Sequence, residues 1–318
     1  MTARDTVVLG AAVGYDEAQI TPFVVSLRRA GYAGDIALVA EPALARLLAG
    51  KESFSGIHWI PQRQWWPVRL GLFWGRKRIW LTLAWRPLQA ALWLGLRVIG
   101  VLPFAATVRR RWQMRCASVL LAPTESRYLH FLEFLEKKPY RRVLLSDVRD
   151  VVFQRDPFVA LPADGLAVSI EDLRFTVRGE AYNAGWVRAA YGDRVLEQIG
   201  AQPVACSGVT FGDGHSVCAY LRAMRTEIQA LSLGAVGQSG VDQGIHNVLV
   251  WTSRLGPVME MRTLAGPVAT LGGVTERPWS LSADGRLLNR DGSVVAVVHQ
   301  YDRHPALRAT LLRALLGP

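Results

Sequence analysis

Apolar blocks alternate with polar punctuation along most of this chain. Val7 to Val13 is apolar throughout, as expected of a strand buried on both faces of a parallel sheet. Gly14 and Tyr15 mark a turn. From Ile20 to Ala30 the spacing becomes helical, with Ile20, Phe23, Val24 and Leu27 on one face. Arg28 and Arg29 fall at the C-terminal end, where cations suit the helix dipole. Asp35 to Ala40 is strand-like again. Strand, helix and strand predict a βαβ unit whose two strands run parallel through a right-handed crossover.

The later pattern continues in kind. Glu125 to Lys138 is a predicted helix with Tyr128, Phe131, Leu132 and Leu135 on one face, and Val143 to Leu145 a buried strand. Further strands are predicted over Asp164 to Ile170 and Val294 to Val298, the second directly before His299. Helices are predicted over Val187 to Ile199 and Ser216 to Leu231. Gly240 to Val250 is an apolar segment with Asp242 as its N-cap. Cys206 to Asp213 is a short apolar segment whose small residues suit a close approach of backbone. The pattern implies an α/β class protein with a mixed, mostly parallel sheet and helices on both faces.

One span breaks the pattern. From Ser53 to Thr124 there is no acidic residue, yet the span holds eleven of the 37 basic ones. Without them the chain has 26 basic against 26 acidic residues, so the net charge of +11 belongs to this span. Seven of the eleven tryptophans fall between Trp65 and Trp112. Pro87 to Val108 is 22 residues with Arg97 as its one charge. That is long enough to cross a bilayer, which needs about 20 apolar residues, but a central arginine costs at least ~2.5 kcal/mol. Tryptophan and arginine around an apolar body suit a membrane surface better. We therefore expect residues 54–124 to be a helical, basic insertion in a single domain spanning 1–318. Residues 64–112 are expected to meet anionic lipid, and nucleic acid is not an expected partner, since the charge does not run along a reading face. A soluble helical flap is the alternative for this span.

Cys116, Cys206 and Cys218 fit no disulfide framework and no zinc spacing, as in a reducing compartment. The start of the chain has no basic n-region of a signal peptide. The expected location is therefore cytoplasmic, with peripheral attachment to the inner face of a membrane. No G-x-G-x-x-G follows the first strand and no Walker sequence is present.

Candidate chemistry gathers at strand ends. The stretch Ser146 to Phe158, SDVRDVVFQRDPF, puts Asp147, Arg149 and Asp150 after a buried strand, where open α/β sheets bind ligands. A charged turn is the plain alternative. Glu171 and Asp172 follow another strand, and HQYDRHP begins at His299. These stretches, with CSGVTFGD at Cys206 and VDQGIHN at Val241, resemble GT-A fold nucleotide-sugar glycosyltransferases. The likeness is to a group in bacteria and plants sharing SDxRDVxFQxxPF and HQYDRHP. It covers about Thr6 to Ser53 and Ser126 to Pro305 and skips the tryptophan-rich span.

The resemblance implies a GT-A-like fold and metal-assisted sugar transfer. A nucleotide-diphosphate sugar of UDP or GDP type would be the donor, and a glycan or lipid-linked acceptor would sit near a membrane. It implies Mn²⁺ or Mg²⁺ held by Asp147, Asp150 and His299, since hard oxygens with one imidazole suit those ions. The D-x-x-D spacing departs from the family's D-x-D, and residues three apart on a strand face opposite ways. Both acids reach one ion only if the chain turns at Val148 and Arg149, or if one works through water. Alternatively, Asp147 meets the ribose or uracil side with Arg149 holding it. Ala11, Ala12, Gly14 and Tyr15 would line the base pocket, and Arg127 would reach the nucleotide from the other side. Arg303 would grip the diphosphate, or else pair with Asp302 at the surface. Asp242 and Gln243 resemble a catalytic pair under the donor sugar in retaining families, so retention is preferred. Asp242 is the first base to test should the reaction invert. Ser207 and Gly208 would border the acceptor, and Glu171, Asp172 and Asn183 are candidates for sugar hydroxyls, with plain turn chemistry as the alternative for each. The rivals are a nucleotidyltransferase on a similar sheet and a non-catalytic membrane- or polyanion-binding protein.

Overall fold

In the computed structural model the described residues are 4–62, 91, 94–95, 121–162, 164–232, 235–236, 238–274 and 279–317. Seven strands form the central sheet: β1 (Arg4–Ala11), β2 (Asp35–Ala40), β3 (Ile57–Pro61), β4 (Tyr140–Asp147), β6 (Leu166–Ile170), β7 (Ala205–Asp213) and β8 (Val258–Arg262). Their order is β3-β2-β1-β4-β7-β6-β8, and β7 alone runs against the others. A smaller sheet sets β12 (Val297–His299) between β5 (Val151–Phe153) and β9 (Val268–Thr270). The strands β10 (Ser280–Leu281) and β11 (Leu287–Leu288) form a hairpin.

Helices cover both faces of the large sheet, as the pattern predicts. Helices α3 (Pro123–Lys137), α7 (Gly214–Ala230) and α8 (Val241–Trp251) press Phe131, Tyr220 and Ile245 onto Leu9, Leu145 and Val168. On the other face α1 (Glu17–Arg29) buries Phe23 and Leu27 against Val8, Leu144 and Phe211. Side chains alternate between these two cores along each strand, so both faces must be apolar. That is why the strands read as continuous hydrophobic runs. Helices α2 (Pro42–Ala49), α4 (Pro157–Ala160), α5 (Ala181–Tyr191), α6 (Asp193–Ile199) and α9 (Pro305–Leu316) complete the described elements.

Several boundaries differ from the sequence expectation for local reasons. β1 ends at Ala11 rather than Val13, paired there with Asp147. Helix α1 starts at Glu17 because Asp16 and Gln19 close a capping box before the apolar stripe begins. The helix expected over Val187 to Ile199 is two helices, broken at Gly192, whose φ of 82° suits glycine. Asp242 is not the N-cap of α8. Gly240 takes that place in the left-handed region, and the Asp242 carboxylate turns inward. The stretch Val294 to Val298 forms a strand only from Val297, and His299 is its last residue. Strand β3 lies inside the span 54–124 and pairs with β2, so part of that span belongs to the sheet. The continuation, 63–120, lies outside the described residues apart from 91 and 94–95.

Candidate active site

The carboxyl end of β4 is the floor of a cleft of about 850 Å³. The chain does turn after Asp147: β4 stops there, and β5 begins at Val151 in the smaller sheet. In that sheet His299 pairs in register with Val151 on one side and Thr270 on the other. The turn and the strand register therefore bring Asp147, Asp150 and His299 together, with one ligand atom of each within 4.8 Å of the others. His299 Nε2 lies 3.4 Å from Asp147 Oδ2 and 3.8 Å from Asp150 Oδ1.

A divalent cation fits this cluster on three observations. His299 is 1% exposed, and its Nε2 has no hydrogen-bond partner. Its Nδ1 faces Thr270 Oγ1 at 3.5 Å and Cys206 Sγ at 3.7 Å, groups able to orient the ring and leave Nε2 for a ligand. Gly208 supplies the space: a Cβ there would fall 2.3 Å from His299 Cε1 and 2.8 Å from Asp147 Oδ2. Two carboxylates and an imidazole form a donor set for a hard ion.

Arg127 explains how Asp147 is oriented. Its Nη1 donates to Asp147 Oδ1, which leaves Oδ2 toward His299. Its Nη2 donates to Asp242 Oδ2 at 3.0 Å and to the Tyr128 hydroxyl at 3.1 Å, and that hydroxyl donates to Asp242 at 3.2 Å. Burial pushes the Asp147 carboxyl up, but the Arg127 guanidinium and His299 outweigh it and hold the group well below the usual carboxylate range. At Asp150 and Asp242 burial wins, and both are raised. Arg127 therefore lines the cleft between two carboxylates, tied to both. Arg149, expected to hold Asp147, instead pairs with Asp302 at 3.6 Å.

The cleft lining includes Ala11, Tyr15, Asn183, Ser207, Gly208 and Glu171. Arg127, Arg149, Arg303, Asp242 and Gln243, with Asp147, Asp150 and His299, complete the set of expected residues that reach it. Ala12, Gly14 and Asp172 are not among the lining residues. Ala12 is fully buried in the α1-side core, Gly14 donates its N–H to Glu41, and Asp172 is taken by Arg174. Arg303 meets Asp302 at 3.4 Å and also reaches Asp150 at 4.0 Å. Gln243 is fixed at both ends: Oε1 accepts from the Ser207 N–H at 2.8 Å, and Nε2 donates to Glu171 at 3.2 Å. Burial raises the Glu171 carboxyl to about 7. Thr270 and Tyr128 neighbour the site without a signal in the sequence, because nothing in their local pattern distinguishes them from core residues, and Cys206 lies in the CSGVTFGD motif but has no role expected of it.

No protein-family model matches the chain, and no curated protein matches it. Solved structures similar to it include an active-site mutant of LgtC, at 15% identity over 96% of this chain and 95% of that one, with a TM-score of 0.46. Another is the galactosyltransferase LgtC in complex with donor and acceptor sugar analogs, at 14% identity over 97% and 95%, with a TM-score of 0.44. Scores below 0.5 assign no residue and no reaction to this chain.

Proposed function

We propose that this protein is a metal-dependent GT-A-like glycosyltransferase that moves a hexosyl or related group from a nucleotide-diphosphate sugar to an acceptor. The observation that carries this reading is the Asp147, Asp150 and His299 cluster at a strand end on the cleft floor, with a buried imidazole nitrogen lacking a partner. When bound, Mn²⁺ or Mg²⁺ supplies positive charge to the departing diphosphate as the sugar–phosphate bond breaks. Tyr15 lines the end of the cleft next to β1, where the base would lie. The Arg303 side chain, 47% exposed and lining the cleft, would hold phosphate oxygens, a role its exposure supports. Gln243, locked between Ser207 and Glu171, presents a fixed amide edge to the sugar. We propose retention of configuration, since the Asp242 carboxylate that an inverting reaction would use as base is engaged by Arg127 and Tyr128.

We further propose that residues 64–112 seat the enzyme on the inner, anionic face of a membrane, so that the acceptor is glycan- or lipid-linked. Their composition supports this, and so does the chain on either side of the stretch. Gln62, 1% exposed, donates to Ser126 Oγ at 2.8 Å, so the described residues flanking the stretch meet. No helix of the described residues is long and apolar enough to cross a membrane.

Thermal shift against nucleoside diphosphates, with and without Mn²⁺, tests the donor site. Stabilisation by UDP or GDP that requires Mn²⁺ is expected, and a response to nucleoside triphosphates alone would point to a nucleotidyltransferase. Asp150→Ala and His299→Ala should each lower donor hydrolysis by about a hundredfold, the scale of losing one preorganised electrostatic contact. Undiminished turnover in both variants would discard the site.

A further inference from the structure

The N-terminal turn of α5 gives the cleft a surface of another kind. Among the described residues Tyr182 is a large ring left 72% exposed, with Trp186 centred 6.0 Å away at an interplanar angle of 33°. Both line the cleft. The indole is held in place against Gly240, where a Cβ would fall 2.2 Å from a ring carbon. Between them in sequence, Asn183 is 4% exposed and lines the same cleft. Its Nδ2 donates to Glu180 Oε2 at 2.7 Å, but its Oδ1 has no partner. A buried carbonyl oxygen without a donor is costly, and such a group in a cleft calls for a donor from a ligand.

The set of groups selects the ligand chemistry. The exposed Tyr182 ring, with the half-buried Trp186 beside it, takes an apolar ring face, and the free carboxamide oxygen takes a hydroxyl hydrogen. An alkyl chain would leave Asn183 Oδ1 unsatisfied. A phosphate diester or dianionic phosphate ester offers only acceptors, and its charge would face the Glu180 carboxylate. A pyranose has both an apolar C–H face and a rim of hydroxyl donors. We propose that Tyr182, Trp186 and Asn183 form a pyranose-binding subsite that seats the acceptor glycan. Its acceptor role rests on the transferase reading above.

Saturation-transfer NMR on the full chain tests this with the methyl pyranosides of glucose, galactose, mannose and xylose as probes. At least one should give signals from its ring C–H protons. Tyr182→Ala should weaken that probe about fivefold, the scale of one aromatic contact, and Tyr182→Phe should restore it. Tyr182 is exposed, so the alanine variant keeps its core, and an unchanged melting temperature checks this. Asn183→Leu, which removes the acceptor at similar volume, should also weaken the probe. Equal signals in wild type and Tyr182→Ala, or none from any probe in wild type, would overturn the subsite. UDP with Mn²⁺, titrated into the same wild-type sample, separates the two readings. Pyranoside binding without UDP binding sinks the transferase reading and the acceptor role but keeps a sugar site, whereas UDP binding without any pyranoside sinks the subsite alone.

Discussion

Arg127 organises the buried charge of the cleft, linking Asp147 on β4 to Asp242 on α8 while 6% exposed itself. Replacing it with methionine would keep the volume but leave the buried Asp242 carboxylate and the partly buried Asp147 without their cation. A loss of about 3–5 kcal/mol is expected by urea unfolding, as for other broken buried ion pairs. A loss below ~1 kcal/mol would mean the carboxylates do not depend on it. Glu171 gives a pH signature. Its folded pKa of about 7 exceeds the model-peptide value of 4.5, so the native state holds its proton more tightly. The corresponding stability is complete below pH 4.5 and is lost as pH rises through 7, by up to about 3 kcal/mol. Denaturant midpoints measured with EDTA between pH 5 and 8 should fall more steeply for wild type than for Glu171→Gln, and parallel slopes would refute the assignment. At this scale the sequence shows residue types but not partners. Asp147 and Asp150 stood out as acids after a buried strand, while their grouping with His299 came from the family resemblance and not from local pattern. The pairing of Arg127 was not legible, because its partners lie 20 and 115 positions away.

Elements were legible where burial imposes a period, as in the two strands and helix of the N-terminal unit. Their ends were less so, because side-chain caps and glycines set them. The contact between α5 and α8 shows why a pattern alone misleads. Gly244 reads as a weak spot in a helix, and alanine there should stabilise by up to ~1 kcal/mol on propensity. A Cβ would, however, fall 2.9 Å from the Trp186 carbonyl carbon and 3.0 Å from the Val187 nitrogen. Such backbone contacts cannot yield easily, and overpacking of this kind costs about 1–3 kcal/mol. Gly244→Ala is therefore expected to destabilise by urea unfolding. A stabilised variant would show that the helices have room to separate. The same close approach sets Trp186 beside Gly240 at the cleft, so a packing feature of two helices also shapes the binding surface.

For the whole molecule, the neutral remainder and the basic stretch are separable in charge, and the Gln62–Ser126 bond brings the flanks of that stretch together. A variant lacking 64–112 should keep the Mn²⁺-dependent UDP response and lose co-flotation with vesicles containing phosphatidylglycerol. Unchanged flotation would reject the membrane assignment. By itself the sequence determined that this is an α/β chain with buried strands, where the basicity resides, and which strand ends carry acids and histidine. Those properties follow from local periodicity and composition, which burial against water imposes residue by residue. Tertiary structure alone decided that a turn after β4 and a second sheet set Asp147, Asp150 and His299 around one point. It also decided that Arg127 is tied to two carboxylates and that Asn183, which lines the cleft, keeps a buried oxygen without a partner. Such pairings depend on distances between segments remote in the chain, and side chains choose partners by geometry that no local pattern encodes.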